Sequence, residues 1–237
     1  MAFTDIHCHI LPAVDDGSQS LEETMEMLRI AEAEGIRRMI VTPHYKAGHR
    51  SPNEAKIMER VAMVQEAIEK EGLRITLYPG NEIYYTSELE EKLEQKKAIT
   101  MNHTDYLLVE FSPMEHFTYI RNAMNDILGL GYTPILAHVE RYQCMLRDVE
   151  NVEQLRSLGC FIQVNASSVT GGNGFKCKKF VHKLLKQNDV DFIGTDAHNT
   201  IKRKPEMKKC ADLISRKYGK KYSKALMGGN AEEMLLS

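Results

Sequence analysis

Phe3-Thr4-Asp5-Ile6-His7-Cys8-His9 is a short, largely apolar run that ends in two histidines, and its reading decides the fold. Residues two apart on a strand point to one face, so His7 and His9 present both imidazoles together at the strand's end. The pattern returns along the chain. Seven runs read as buried strands, over residues 3–7, 38–42, 74–78, 106–111, 133–138, 160–165 and 190–195. Most are nearly continuous in apolar residues, as parallel strands are when helices cover their outer face. Ser20-Leu-Glu-Glu23 reads as a capping box opening a helix that stops at Gly35, and Ser51-Pro52-Asn53-Glu54 as a second one, whose helix stops at Gly72. Further helical patterns cover 87–95, 117–130, 149–158, 176–187 and 205–217, with a helical tail from 222 broken at Gly228-Gly229. Strands alternating with helices predict βαβ units and a parallel α/β barrel, whose active face lies at the C-terminal ends of its strands. Counting seven strands rather than eight predicts a distorted or incomplete barrel. With no linker or repeat, residues 1–237 read as one domain.

Groups that bind metal sit at those strand ends. After His7 and His9 come Asp16, His44, Glu82, Glu110, His138 and finally Asp196 with His198. Some are ambiguous alone: His44 follows Thr42-Pro43 as a loop histidine would, and Glu82 is placed to cap a helix. Glu110 is harder to explain away, because an acid ending Leu107-Leu108-Val109 is costly to bury unless it is paired or bound to a cation. Imidazole and carboxylate suit Zn, Mn and Fe, and nine such groups exceed what one ion uses. The spacing therefore predicts a multinuclear site and metal-assisted hydrolysis.

Other features narrow the function. The formal net charge of −2 gives no electrostatic case for a nucleic-acid partner. No stretch is apolar enough to span a membrane, and the N-terminal residues lack a signal peptide's regions, so the expected location is cytoplasmic. Five scattered cysteines form no CxxC pair, which argues against a disulfide framework or a cysteine zinc knuckle. Cys210 and Arg216 match the Cys-x5-Arg spacing of cysteine phosphatases, but the residues between them lack glycine and continue a helical pattern rather than a phosphate-cradling loop. Arg141 and Arg203 follow the histidines His138 and His198, and both are placed to fork onto phosphate oxygens. Thr170-Gly-Gly-Asn-Gly174 lacks the P-loop ending and reads as a mobile loop over the mouth.

Taken in order, His7-Cys-His9-Ile-Leu-Pro-Ala-Val-Asp-Asp16-Gly, Thr-Pro-His44, Gly-Asn-Glu82-Ile-Tyr-Tyr, Leu-Val-Glu110-Phe, Ala-His138-Val-Glu-Arg141-Tyr, Gln163-Val-Asn165 and Thr-Asp196-Ala-His198 resemble the polymerase-and-histidinol-phosphatase (PHP) superfamily. Within it the chain is most similar to the bacterial manganese-dependent protein tyrosine phosphatases of capsule and exopolysaccharide gene clusters, the CpsB/YwqE type. The resemblance implies a distorted seven-stranded PHP-type barrel with three divalent ions, manganese being the usual activator and Fe, Zn, Co or Mg alternatives. The implied ligands are His7, His9, Asp16, His44, Glu82, Glu110, His138, Asp196 and His198, with Glu82 or Glu110, and Asp196, bridging ions. Arg141 matches the family's phosphate-binding arginine. Arg203 stands in Lys-Arg203-Lys-Pro where the family has Arg-Pro-Pro, which blurs the alignment of the second arginine. Cys8 replaces a frequent serine, and strand alternation turns it away from the metals.

The implied reaction is attack on phosphotyrosine by a hydroxide held at the metals, with no cysteine nucleophile. The implied substrate is the tyrosine-rich tail of a cognate kinase governing polysaccharide synthesis. A small-molecule phosphatase acting on histidinol phosphate is the nearest alternative, because it shares the metal core. An amidohydrolase barrel also begins with His-x-His, but it expects a bridging lysine and a histidine where Glu110 and Asn165 stand. A non-catalytic metal-binding module would have lost ligands, and here all nine positions are filled.

Overall fold

The computed structural model describes residues 2–236. Nine strand segments alternate with helices: β1 (Phe3–Cys8), β2 (Ile36–Val41), β3 (His44–Lys46), β4 (Thr76–Pro79), β5 (Glu82–Tyr84), β6 (Tyr106–Glu110), β7 (Thr133–Leu136), β8 (Phe161–Asn165) and β9 (Phe192–Gly194). The helices are α1 (Leu21–Glu34), α2 (Glu54–Glu71), α3 (Leu89–Glu94), α4 (Phe117–Gly129), α5 (Gln143–Arg147), α6 (Glu150–Leu158), α7 (Ala166–Thr170), α8 (Gly174–Gln187), α9 (Lys208–Tyr218), α10 (Lys220–Lys224) and α11 (Asn230–Met234). Every strand pair is parallel, in the orders β1-β2-β4 and β3-β5-β6-β7-β8-β9.

The expected count of seven strands needs correction. Two positions are each split in two. Pro43 has no N–H to give the ladder, so β2 ends before it and His44 opens β3. Gly80-Asn81 separates β4 from β5 in the same way, and Asn81 donates to the Pro43 carbonyl (2.8 Å). The two breaks sit side by side, which sets His44 opposite Glu82 in register. The barrel is also not closed by a continuous ladder: β1 meets β9 through one isolated bridge, Cys8 to Ala197, and the bonds His9 N–H to Ala197 O and Asp196 N–H to His7 O. At this seam the strands run very close. A Cβ on Gly194 would lie 2.6 Å from the His7 Cβ, so only glycine fits there.

Two apolar layers hold the barrel. Inside it, Ile6, Ile40, Leu108, Ile135 and Phe192 pack together, and Ala231 and Leu235 from the C-terminal segment join them. Outside, the alternate residues of the same strands, among them Met39, Val41, Leu107, Val109, Leu136 and Ile193, pack against the helices. The inner core is apolar below, and gives way to histidine and carboxylate above. β1 shows how. Ile6 packs in the inner core while its neighbour His7 reaches the mouth, which a regular period-two strand does not allow for adjacent residues. The register slips between Asp5 and Cys8, and such an irregularity re-aims side chains. Cys8, as expected, turns to the outer layer, its thiol donating to the Ile40 carbonyl.

Helix ends follow the chemistry of their sequences. The Ser20 hydroxyl caps α1 by accepting from the Glu23 N–H, and Gly35 closes it in the left-handed conformation. The second cap is corrected: Asn53, not Ser51, accepts from the Lys56 N–H and opens α2. Ser51 instead bonds the Lys46 backbone. α5 and α7 are single turns too short for periodicity to reveal. Thr170–Gly174 is the turn joining α7 to α8, with the Gly171 and Gly172 N–H groups both on the Ser167 carbonyl. The expected mobile loop is therefore a hydrogen-bonded turn.

Candidate metal centre

All nine side chains named from the sequence meet at the C-terminal mouth. His7, His9, Glu82, His138, Asp196 and His198 are buried, while His44 and Glu110 are partly exposed and Asp16 faces solvent. Glu82 is the hub. Its carboxylate lies 3.2 Å from His7 Nε2, 3.2 Å from His9 Nε2, 3.0 Å from His44 Nδ1 and 2.8 Å from His138 Nε2. Glu110 lies 3.2 Å from His44 Nδ1 and 3.7 Å from His138 Nε2. Asp196 lies 3.5 Å from His7 and 3.7 Å from His9. Asp16 stands 3.4 Å from His44 Nε2 and 3.5 Å from His198 Nε2. Three groups have the compactness to hold a cation: His9 with Asp16, His44 and His198; His7 with His9 and Glu82; and His44 with Glu82 and Glu110. They share His9, His44 and Glu82, and of these only the carboxylate has two oxygens to offer neighbouring ions.

The donor set fits such ions. Glu82 Oε2, His44 Nδ1, His138 Nδ1 and His198 Nε2 are buried with no hydrogen-bond partner, although buried polar atoms nearly always have one. Several point at neighbours 3.0–3.5 Å away without the alignment of a hydrogen bond, which is what ligands aimed at a common cation do. His138 and Asp196 carry positive φ of 33° and 54°, uncommon for residues with a Cβ. Each lies just past its strand, where the sharp turn swings its side chain into the mouth.

The carboxylates draw His7, His9 and His44 toward their charged forms. Burial alone would push His9 down, but Asp15 and Glu82 outweigh it and hold its pKa up at about 9. Burial likewise opposes ionisation of Glu82, yet His7, His138 and His44 hold its carboxyl well below the ordinary range. Burial opposes ionisation of Asp196 too, and is overcome chiefly by His7 and Arg141.

Three positioning residues lay outside the residues singled out as ligands. Asp15 Oδ2 lies 2.8 Å from His9 Nδ1 and accepts from the His44 N–H, so it orients one ligand and anchors the next. The Asp15-Asp16 pair was visible in the sequence, but nothing local says which acid faces the ions. Gln163 Oε1 accepts from the His138 N–H (2.6 Å) and lies 3.2 Å from His7 Nδ1, an arrangement that places the proton on Nδ1 and frees Nε2. Gln163 Nε2 donates to Asn165, which donates to Asp196 (2.9 Å). Gln163-Val-Asn165 stood in the family pattern, at the one predicted strand end that supplies no His, Asp or Glu ligand, but nothing local gave the two side chains a role. Asp15→Asn should weaken metal binding about 10- to 100-fold, the usual cost of disturbing such a partner. Metal titration followed by calorimetry checks this, and unchanged affinity would remove Asp15 from the site.

Arg141 and Arg203 converge on one carboxylate. Arg141 Nη2 donates to Asp196 Oδ2 (2.6 Å) and Arg203 Nη2 to Asp196 Oδ1 (2.5 Å). Whatever the sequence left open about Arg203, its guanidinium is a spatial counterpart of Arg141. Beside them opens a cavity of about 350 Å³ lined by Asn165, Thr170, Asn173 and Lys202, among others. Cys210 is also at its wall but is 1% exposed, sits within α9, and has its thiol pushed up by burial. The whole Cys210-to-Arg216 stretch is helix, so no phosphate-cradling loop exists there.

Parallel β/α architecture with a histidine-carboxylate cluster at its C-terminal mouth defines the metal-dependent barrel hydrolases. The fold is shared with the phosphotriesterase homology protein of Escherichia coli (TM-score 0.64, 11% identity, covering 99% of this chain and 98% of that one). It is shared also with the histidinol phosphate phosphatase of Lactococcus lactis (TM-score 0.58, 17% identity, covering 90% and 93%), both likenesses of fold alone. The chain belongs to the CpsB/CapC family of capsular polysaccharide synthesis, whose family model matches residues 3–236. It is 35% identical to the tyrosine-protein phosphatase CpsB of Streptococcus pneumoniae (98% of each chain) and 32% identical to the tyrosine-protein phosphatase YwqE of Bacillus subtilis (98% and 91%). A crystal structure from work on those two metal-dependent tyrosine phosphatases superposes with a TM-score of 0.92 at 30% identity, covering 98% of this chain and 94% of that one.

Proposed function

We infer that this chain is a metal-dependent protein tyrosine phosphatase. The observation that carries this reading is the convergence of nine histidine and acid side chains, several with orphaned buried atoms, beside two arginines gripping Asp196. The curated activity of its full-length relatives supports it. The nine residues are proposed as ligands of three divalent ions, manganese first among them, and the whole of residues 1–237 as one phosphatase domain. The proposed substrate is a phosphotyrosine protein of polysaccharide synthesis, such as the tail of its tyrosine kinase, which the family's role supports. Five free cysteines support a reducing, cytoplasmic location. No helix of the described residues is long and apolar enough to cross a membrane.

Ions held here would polarise the phosphoryl oxygens and lower the pKa of water toward neutrality. The protein's own part is positional. Asp196 holds the two guanidiniums at the edge of the cluster, where their N–H groups can meet phosphoryl oxygens and offset charge growing on them. Asn165, donating to the same carboxylate, keeps it from rotating away. Water bonds to phosphorus, releasing a proton to solvent, as the bond to the tyrosine oxygen breaks. With an ordinary pKa of about 10, the phenolate leaves readily and takes its proton from solvent.

The test is phosphate release from a phosphotyrosine peptide by ion-stripped protein, with Mn²⁺ restored, beside His138→Ala and Cys210→Ser. Release should need metal and His138 and be retained in Cys210→Ser. Metal-independent release that disappears with Cys210 would overturn the reading. Turnover of histidinol phosphate alone would keep the site and change the substrate.

A further inference from the structure

A second basic surface adjoins the metal centre and shares no residue with the arginine cavity. It is a groove of about 920 Å³ on the flank formed by the segments after β1, β3 and β5. Its walls carry Lys46, Arg50, Lys56, Lys92 and Lys97 against only two acids, Asp15 and Glu88, in a chain with 31 basic and 33 acidic residues. The lining is therefore net basic. Much of that charge is also uncompensated. Asp15 is occupied by His9, and Glu88 pairs with Lys92. Lys56 pairs with Glu59. Lys46, Arg50 and Lys97 are exposed and have no carboxylate partner among the described residues; the Lys46 ammonium rests only on the Tyr84 ring, 4.3 Å from its centroid.

The groove is joined to the chemistry by short covalent steps. Tyr45 and Lys46 directly follow His44, and Asp15 lines the groove while touching both His9 and His44. A peptide whose phosphotyrosine entered the mouth would carry its neighbouring residues along one side or the other of the cluster. On this side it would meet free cations in a channel of the volume that holds a small ligand or a few residues.

We propose that this groove binds an anionic stretch flanking the phosphotyrosine, in carboxylate side chains or a second phosphate, and so selects acidic or multiply phosphorylated peptides. The proposal rests on the phosphatase reading above. Its test compares, for metal-loaded enzyme, three peptides with one phosphotyrosine in common: neutral flanks, glutamate flanks, and a second phosphotyrosine as flank. The readout is the ratio of kcat/KM between anionic and neutral peptides, which a general loss of activity does not move. The wild-type ratio should be about tenfold, since each exposed pair is worth up to a factor of about five, and it should shrink as salt screens the charges. In the charge-reversed double variant Arg50→Glu with Lys97→Glu the ratio should collapse toward one. Preference for phosphate over glutamate flanks would assign the subsite to phosphate, and equal preference to charge alone. A wild-type ratio of one, or a ratio that survives charge reversal, overturns the proposal. If no peptide is hydrolysed, the phosphatase reading fails instead. Fluorescence anisotropy of an unphosphorylated glutamate-rich peptide then decides the groove: weaker binding to the variant supports it, and no difference refutes it.

Discussion

Glu82→Gln is expected to lose more than about a hundredfold in phosphotyrosine hydrolysis, beyond the roughly 10- to 100-fold that disturbing an outer partner such as Asp15 costs. The substitution keeps the shape of the side chain and removes its charge. Four of the five clustered histidines lie within 3.2 Å of that carboxylate, and it belongs to two of the three cation-sized groups. No other carboxylate of the cluster approaches so many histidines, Asp196 reaching three. The neutral amide would present an N–H₂ where a cation held by these groups would take an oxygen, so the bound metal per chain should fall along with turnover. Elemental analysis beside kinetics separates the outcomes: full metal content with full activity would show that Glu82 is a structural partner of the histidines and nothing more.

Stripping the ions is the second large effect, and it should be visible without any substrate. A ligand that binds only the folded chain stabilises it by about 2.7 kcal/mol at a hundred times its dissociation constant. For a chain of this length each kcal/mol moves Tm by about 2–4 °C, so each such ion should raise Tm by roughly 5–10 °C. The effect carries a pH signature. In the ion-free protein His9 is held protonated up to about pH 9 by Asp15 and Glu82, and a cation must displace that proton. Apparent metal affinity should therefore rise with pH until His9 is neutral without help, and binding below that point should release protons. Scanning calorimetry with and without Mn²⁺ across that range would measure both. A Tm indifferent to metal at every pH would mean the cluster binds none.

The alternation of strand and helix was legible because apolar periodicity and helix caps are local signals. The candidate ligands were legible because a carboxylate such as Glu110, ending an apolar strand, has few other physical explanations. Asn53 as the cap of α2 was missed because Ser51-Pro52 offers an equally good local signal two residues earlier, and only the path of the chain from β3 decides between them. The split strands were missed because Pro43 and Gly80 disrupt pairing only where they lie next to each other across the sheet, a matter of register.

What this sequence determines by itself is the set of parts: parallel strands, covering helices, and His, Asp or Glu where most strands end. Those follow from periodicities of two and 3.6 residues and from the expense of burying charge. Tertiary structure alone decided that Arg203 shares Asp196 with Arg141, that Asp15 rather than Asp16 orients His9, and that Gln163 sets the proton on His7. Each of those contacts depends on which atom of one side chain meets which atom of another across the mouth. Apart from the close His9–Asp15 and Asp196–Arg203 pairs, they join elements far apart in sequence, Arg141 and Asp196 by 55 residues and His7 and Gln163 by 156. A local pattern carries no record of that meeting, because closing the barrel is what brings the two ends together.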